Sequence, residues 1–365
     1  MSVQTAEAAA GANEIAQADM QAGAEKSPRA KQPGGHNFAV CAKTFARALA
    51  LGILPALAYL VLARGTGGDN RTTSWGAEAI ASYGLMGLRR AKTSILELQQ
   101  AGLASPPGHR GRKYARILSE HATSTSIDGQ DWIDLIWLPN RIIGGRPGDS
   151  SPLARLREAE GGASALALLM EIYRRSNLIA DGGVQSVEMS VRFGLARLGE
   201  RAAWNVYGRA REAKWHYAPE PSPLSCFLPK PASCGRVFNL LDGLHLIRCV
   251  AYIFDRAPEA GGEPMFPVGW IGEDAEVLYG NASRASAETL LERTANTKAK
   301  RHELRKGHGV FVAVGKHVHA PEWVELLRPR WLPDTEPTRR WLAKLQKWSE
   351  RAEADAAAMT IGWSP

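Results

Sequence analysis

The stretch that decides the fold runs from Ile53 to Leu118. It reads ALAYLVLA at residues 56–63, GTGGDNRTT at 65–73, SWGAEAIASYG at 74–84, LRRAKTSILELQQ at 88–100 and SPPGHRGRKYARIL at 105–118. The first segment is apolar throughout and predicts a buried helix, and the Gly-rich second segment predicts a turn. The third and fourth segments predict two further helices, and the fifth predicts a β-hairpin with Pro and Gly at its turn.

The fourth segment has two chemically different faces. Ala91, Ile95 and Leu98 follow one another at i, i+4 and i+7, which places them on one apolar helix face. The polar positions at its start, which include Arg89 and Lys92, are predicted to face outward. Gly102 is expected to end this helix.

The segments on either side complete the pattern. Thr73 or Ser74 is predicted to cap the helix at 74–84, which Gly84 ends. In the hairpin, Pro106, Pro107 and Gly108 are predicted to lie in the turn. An α-helix fits the DNA major groove, and a neighbouring basic hairpin can contact the phosphates or the minor groove.

This order resembles the winged helix-turn-helix proteins of plasmids, phages and integrative elements. The resemblance rests on AYLVLARGTGGDNRTTSWGAEAIASYGL and RRAKTSILELQQAGLAS, and the region it covers is about 70 of the 365 residues. It implies that the helix at 88–100 reads DNA bases and that the hairpin, the wing, contacts phosphate. One departure is that Gly87 and Leu88 stand where the family has a Ser or Thr cap.

The expected ligand is double-stranded DNA, bound without catalysis, metal or cofactor. The predicted DNA-contacting residues are Arg71, Thr73, Ser74, Arg89, Arg90, Lys92, Thr93, Arg110, Arg112 and Lys113. Arg64 is expected at the surface or against the DNA backbone. Other expected partners are a second copy of the chain or further nucleoprotein components. The resemblance implies a role in replication initiation or transcription control on a mobile element.

The fold class predicted for the whole chain is mainly α with small β-wings, an α+β arrangement. Residues 1–36 contain almost no large apolar side chains and are expected to be a disordered tail. The winged helix-turn-helix domain is predicted at 37–140, a helical domain at 150–218 and an α+β domain at 236–358. Gly-, Pro- and Arg-rich residues at 140–152 predict a linker.

The sequence of residues 150–218 weakly repeats the helix pattern of the first domain. A helix is predicted at 163–177 and another helical pattern at 195–214, which favours a degenerate second winged helix. An ordinary pair of helices joined by a turn explains this similarity equally well. Farther on, residues 239–254 have apolar side chains at helix spacing, 282–295 and 335–357 predict helices, and 310–314 predict a strand.

Composition agrees with a soluble protein that binds a polyanion. The net charge is +8 and the pI is near 9.4. The apolar run at 48–63 is shorter than the ~18–20 residues of a membrane span and contains Pro55, which fits the first turn of a shorter helix. Without a signal-peptide pattern, a cytoplasmic location is expected. The four cysteines are expected to be free thiols.

The sequence leaves two alternatives to DNA binding open. The same winged fold can hold a protein partner. His317 and His319 follow a predicted strand, and their spacing resembles the metal-binding pair of rolling-circle initiators and relaxases; that reading would make the chain a metal-dependent nickase. No tyrosine follows His319, although that family needs a nucleophilic one. The spacing of Asp128, Asp131 and Asp134 is typical of a solvated face.

Overall fold

The chain folds into a mixed α+β structure. The computed structural model describes residues 36–67, 71–110, 113–117, 135–148, 151–178, 182–201, 203–218, 221–294, 308 and 310–361. With 43% helix and 27% strand, it has more sheet than the predicted small wings. The α+β class is therefore confirmed, whereas its mainly α character is not. The predicted disordered tail lies outside the described residues, apart from His36.

The apolar run near residue 50 forms two helices instead of one. They are α1 (Ala42–Ala50) and α2 (Ile53–Arg64), and Gly52 turns the chain between them with φ of 122°. Pro55 lies in the first turn of α2, as predicted. Every residue of α2 from Pro55 to Arg64 is buried. Within the described residues no helix is long and apolar enough to cross a lipid bilayer.

The rest of the N-terminal half follows the predicted order. Strand β1 (Asn37–Cys41) pairs antiparallel with β5 (Leu135–Pro139) beside α2. Between them lie β2 (Thr72–Thr73), α3 (Ala77–Ser82), α4 (Leu88–Gln100), β3 (Gly108–Arg110) and β4 (Lys113–Ile117). A 3-10 turn, Asn140–Ile142, follows β5.

The middle of the chain differs from its prediction. Helices α5 (Ala154–Glu158) and α6 (Gly162–Arg175) confirm the helix expected near 163–177. The described residues that follow form the strands β6 (Ser176–Asn177), β7 (Gly183–Val184), β8 (Met189–Arg201) and β9 (Trp204–Tyr217). The predicted helix at 195–214, and with it the second winged helix, is therefore wrong, because tertiary pairing overrides the helix-favouring Ala, Arg, Glu and Lys side chains there.

A curled six-stranded sheet dominates the C-terminal half. Its remaining strands are β10 (Ile247–Phe254), β11 (Pro264–Pro267), β12 (Val310–Gly315) and β13 (Glu322–Pro329), in the order β11-β10-β13-β8-β9-β12. Helices α8 (Asp274–Thr294) and α9 (Glu336–Ile361) pack against one face, and α7 (Pro231–Gly243) packs against the other, where the rings of Phe238 and Trp215 stack 4.8 Å apart.

Residues 239–254, whose apolar side chains follow a helix period in the sequence, belong to two different elements. Helix α7 ends at Gly243, and His245 adopts a φ of 55° before β10 begins. The helices predicted at 282–295 and 335–357 and the strand predicted at 310–314 are confirmed by α8, α9 and β12.

One hydrophobic core connects the two halves. Its buried residues come from α1, α2, α4, α6, α7 and β8, and the cluster reaches Leu327 on β13. The predicted linker at 140–152 belongs to this body, because the Gly148 and Ser151 amides donate to the carbonyls of Ser82 and Tyr83. The predicted domain start at 236 falls inside α7.

A buried ion pair ties the sheet to its covering helices. The Arg328 guanidinium on β13 donates to both carboxylate oxygens of Glu276 on α8, at 2.9 and 3.0 Å, and to the carbonyl of Gly182. The Tyr252 hydroxyl also donates to Glu276. Burial acts to raise the pKa of Glu276, but attraction and hydrogen bonds from Arg328 outweigh it, so this pKa lies below its ordinary value.

Removing Arg328 should destabilise the whole protein. In Arg328→Met the Glu276 carboxylate stays buried without its counterion, so we expect the free energy of unfolding to fall by about 3–5 kcal/mol. Arg256→Met, which removes an exposed ion pair with Asp255, should leave the free energy of unfolding nearly unchanged, because solvent screens the pair. Urea unfolding followed by circular dichroism measures both; similar losses in the two variants would contradict this role of Arg328.

Candidate nucleic-acid interface

Helix α4 presents the predicted cationic surface. Ala91, Ser94, Ile95 and Leu98 are buried beneath it. The candidate residues on its outer side are all exposed: Arg89, Arg90, Lys92 and Thr93. Within the described ranges none of these three cations forms an ion pair with an acidic side chain, and the first turn of the helix contains no acid. The outer side of α4 therefore carries uncompensated positive charge.

Two glycines in left-handed backbone conformations end the helices α3 and α4. Gly84, with φ of 69°, turns the chain from α3 toward α4. Gly102, with φ of 70°, ends α4, and the next amide, that of Leu103, donates to the Leu98 carbonyl at 2.8 Å. Both predicted helix ends are confirmed. Gly87 is the N-cap of α4, without a side-chain hydrogen bond.

The predicted cap of α3 is wrong. The N-cap is Gly76, and no side chain bonds to the free amides of the first turn. The Thr73 side chain is 1% exposed, and its hydroxyl accepts a hydrogen bond from the Trp75 amide at 3.1 Å. Ser74 is exposed. Of these two candidates, only Ser74 is accessible to a ligand.

The hairpin next to α4 is part of a small sheet with the order β2-β4-β3. Thr73 pairs with Arg116, and Arg110 pairs with Lys113 at the tip, on either side of residues 111–112. Arg112 lies outside the described residues. Pro106 and Pro107 precede β3 instead of forming the turn. Arg71, immediately before β2, is exposed.

A buried arginine fixes the position of this region on the core. Arg64, at the end of α2, lies 4.6 Å from the Tyr83 ring and 5.8 Å from the Trp75 ring, and it donates to the Gly144 carbonyl at 2.7 Å. Burial lowers its pKa. The expectation of a surface or DNA-contacting Arg64 is therefore wrong, since the guanidinium joins α2 to α3 and to the segment after β5.

The two histidines of the nickase alternative lie elsewhere. His317 and His319 are exposed in the connection after β12, which ends at Gly315, so they do not lie in a strand. Among the described residues no group of three or more His, Cys, Asp or Glu side chains is arranged to hold a metal ion. Asp128, Asp131 and Asp134 lie outside the described residues.

Similarity to a protein of known function would be a second basis for assigning a function. Comparisons with protein-family models, with curated proteins and with solved structures found no match to this chain. The arrangement of side chains is therefore the basis for assigning a function.

The close fit at Gly65 provides a test of the Arg64 region. A Cβ added there would lie 2.4 Å from two atoms of the Trp75 indole. We expect Gly65→Ala to lower the free energy of unfolding by about 1–3 kcal/mol through overpacking. Gly243→Ala, whose Cβ would meet open space, should leave stability unchanged or raise it by up to about 1 kcal/mol. If the two variants are equally stable in thermal unfolding, the Trp75 side chain moves aside without an energetic cost, and the expected overpacking is refuted.

Proposed function

We propose that α4 and the β3–β4 hairpin form a winged helix-turn-helix surface that binds double-stranded DNA. The observation that carries the proposal is the exposed cationic side of α4, with Arg89, Arg90 and Lys92 uncompensated by acids. Duplex DNA fits this proposal because it is an anion whose major groove is wide enough to admit a helix. The hairpin that follows α4 in the chain belongs to the β2-β4-β3 sheet, which has the strand order expected of a wing.

The proposed contacts divide into two kinds. We propose that Arg89, Lys92 and Thr93 contact base edges and that the hairpin residues Arg110 and Lys113 contact phosphates. The remaining members of the interface are Arg71, Ser74, Arg90 and Arg112. Thr73 is left out because it is buried.

The biological role rests on the family resemblance alone. Initiators of this type often carry tandem winged helices, so a second winged helix would favour replication initiation over transcription control. Because the described residues in that part of the chain form strands β8 and β9, the preference no longer has support. We therefore propose a DNA-binding protein of a mobile element that acts in either process.

A second candidate function is supported by exposed apolar side chains on α4. Leu88 is 43% exposed and Leu96 is 56% exposed, so α4 has two apolar side chains that a protein partner would remove from water. A protein partner would bind with weak salt dependence, whereas DNA binding falls steeply with salt because bound counterions are released. The same titration therefore separates the two functions.

The DNA experiment requires the full chain, because α2 is enclosed partly by α6. Duplexes that bind the protein are selected from a random pool of about 30 base pairs, and affinities for selected and random duplexes are measured at two salt concentrations. We expect Arg89→Ala with Lys92→Ala to weaken binding to the selected duplex about tenfold or more, and to the random duplex less.

Variants of the hairpin and of α9 serve as the comparison and the control for the α4 variant. Arg112→Ala with Lys113→Ala should weaken binding to both duplexes alike and reduce the salt slope by about 2. Arg339→Ala with Arg340→Ala, exposed on α9, should leave both affinities nearly unchanged. Equal losses from the α4 pair and the α9 pair would refute the proposed surface.

A further inference from the structure

A cationic cavity lies away from α4, between the N-terminal helices and the sheet. Its volume is about 500 Å³. The 3-10 turn after β5 and the segment that follows β13 form opposite parts of its wall. Basic and aromatic residues in the lining are His36, Arg64, Arg141, Arg330 and Trp331.

The charges in this lining do not balance. Its two carboxylates, Glu273 and Asp334, each pair with an arginine outside the lining: Glu273 with Arg248, and Asp334 with Arg339 at 3.5 Å. Arg64 faces a carbonyl and two aromatic rings instead of an acid.

The other two arginines of the lining are exposed. Arg141 and Arg330 form no ion pair with any residue in the described part of the chain. The lining therefore holds an excess of positive charge, and its complement is an anion.

The other lining residues suit a flat apolar group. Trp331, Leu332 and Leu342 contribute apolar surface beside the arginines, and Leu342 is 40% exposed. Guanidinium groups bind phosphate oxygens in a planar, two-pronged geometry. Aromatic side chains stack on nucleic-acid bases of any sequence. A volume near 500 Å³ is also within the usual range for a small-molecule site.

A second cavity of about 450 Å³ adjoins the first and shares Asn37, Leu332 and Asp334 with it. The shared wall is held in place because the Asn37 amide donates to the Asp334 carbonyl and its oxygen accepts from the Asp334 amide, both at 2.8 Å. Trp137, 39% exposed, and Tyr173 contribute aromatic surface to the second cavity. Two adjoining cavities offer space for two neighbouring units of a strand.

We propose that the cavity beside Arg141 and Arg330 binds a nucleotide unit, with the phosphate at the two guanidiniums and the base against Trp331. The unit is part of single-stranded DNA or a free nucleotide, and the adjoining cavity favours the strand. This site goes beyond the proposed duplex surface, because none of its lining residues belongs to α4 or the hairpin.

The test uses the full chain and a fluorescein-labelled oligomer of ten thymidines, followed by anisotropy. We expect Arg141→Gln with Arg330→Gln to weaken its binding about tenfold or more, because two charged hydrogen-bond donors are lost. Arg155→Gln with Arg211→Gln, which removes the same charge from exposed positions of α5 and β9 outside both cavities, should change the affinity less than about twofold. Unchanged thermal unfolding confirms that both variants are folded.

Competition identifies the source of the nucleotide. If unlabelled dTMP displaces the oligomer, the ligand is a free nucleotide; if only longer oligomers displace it, the ligand is a strand. Displacement by inorganic tripolyphosphate as effective as that by dTMP would overturn the contact between base and Trp331. Equal losses in the two arginine pairs, or no binding by the wild type, would overturn the site.

The duplex-binding proposal is kept separate by one further variant. Arg89→Ala with Lys92→Ala should bind the thymidine oligomer like the wild type. A loss there equal to that of Arg141→Gln with Arg330→Gln would show that single strands bind at α4, and the cavity would be rejected.

Discussion

The complete burial of α2 is the constraint on which the rest of the structure depends. Its residues from Pro55 to Arg64 are apolar except at the end and have no solvent-facing side, so the chain must surround them. Helices α1, α4 and α6 and strand β1 do so. Since α6 comes about a hundred residues later in the chain, the basic helix and the sheet are held in one body.

The same constraint explains how a cationic surface is formed without destabilising the protein. Helix α4 places its apolar side on α2, which leaves its arginines and lysine in solvent, where charge has little desolvation cost. The arginine that the chain does bury, Arg64, lies against aromatic rings and a carbonyl. The buried Arg64 therefore has partners, whereas the described cations of α4 and of the cavity that form no ion pair are exposed.

Helices with a clear apolar period could be predicted from the sequence. For α4 the predicted bounds, 88–100, agree with the structure. Strands β8 and β9 could not, although Val191, Phe193 and Leu195 alternate with polar or small residues, because the surrounding Ala, Arg and Glu favour a helix and the partner β13 is remote. Among candidate contacts, the cations of α4 followed from its period, but the burial of Thr73 and Arg64 depends on Trp75 and the distant Gly144. Arg141 and Arg330 are far apart in sequence, and nothing local indicates that they share a cavity.

The position of β13 has a consequence for how the protein is made. It lies between β8 and β10, so the long β8–β9 hairpin lacks its central neighbour until residues 322–329 have been synthesised. During translation the open edge of β8 is exposed while more than a hundred further residues emerge from the ribosome. The nascent chain therefore passes through a stage at which chaperones or self-association compete with correct closure, and conditions that slow translation near the C-terminus should prolong that stage.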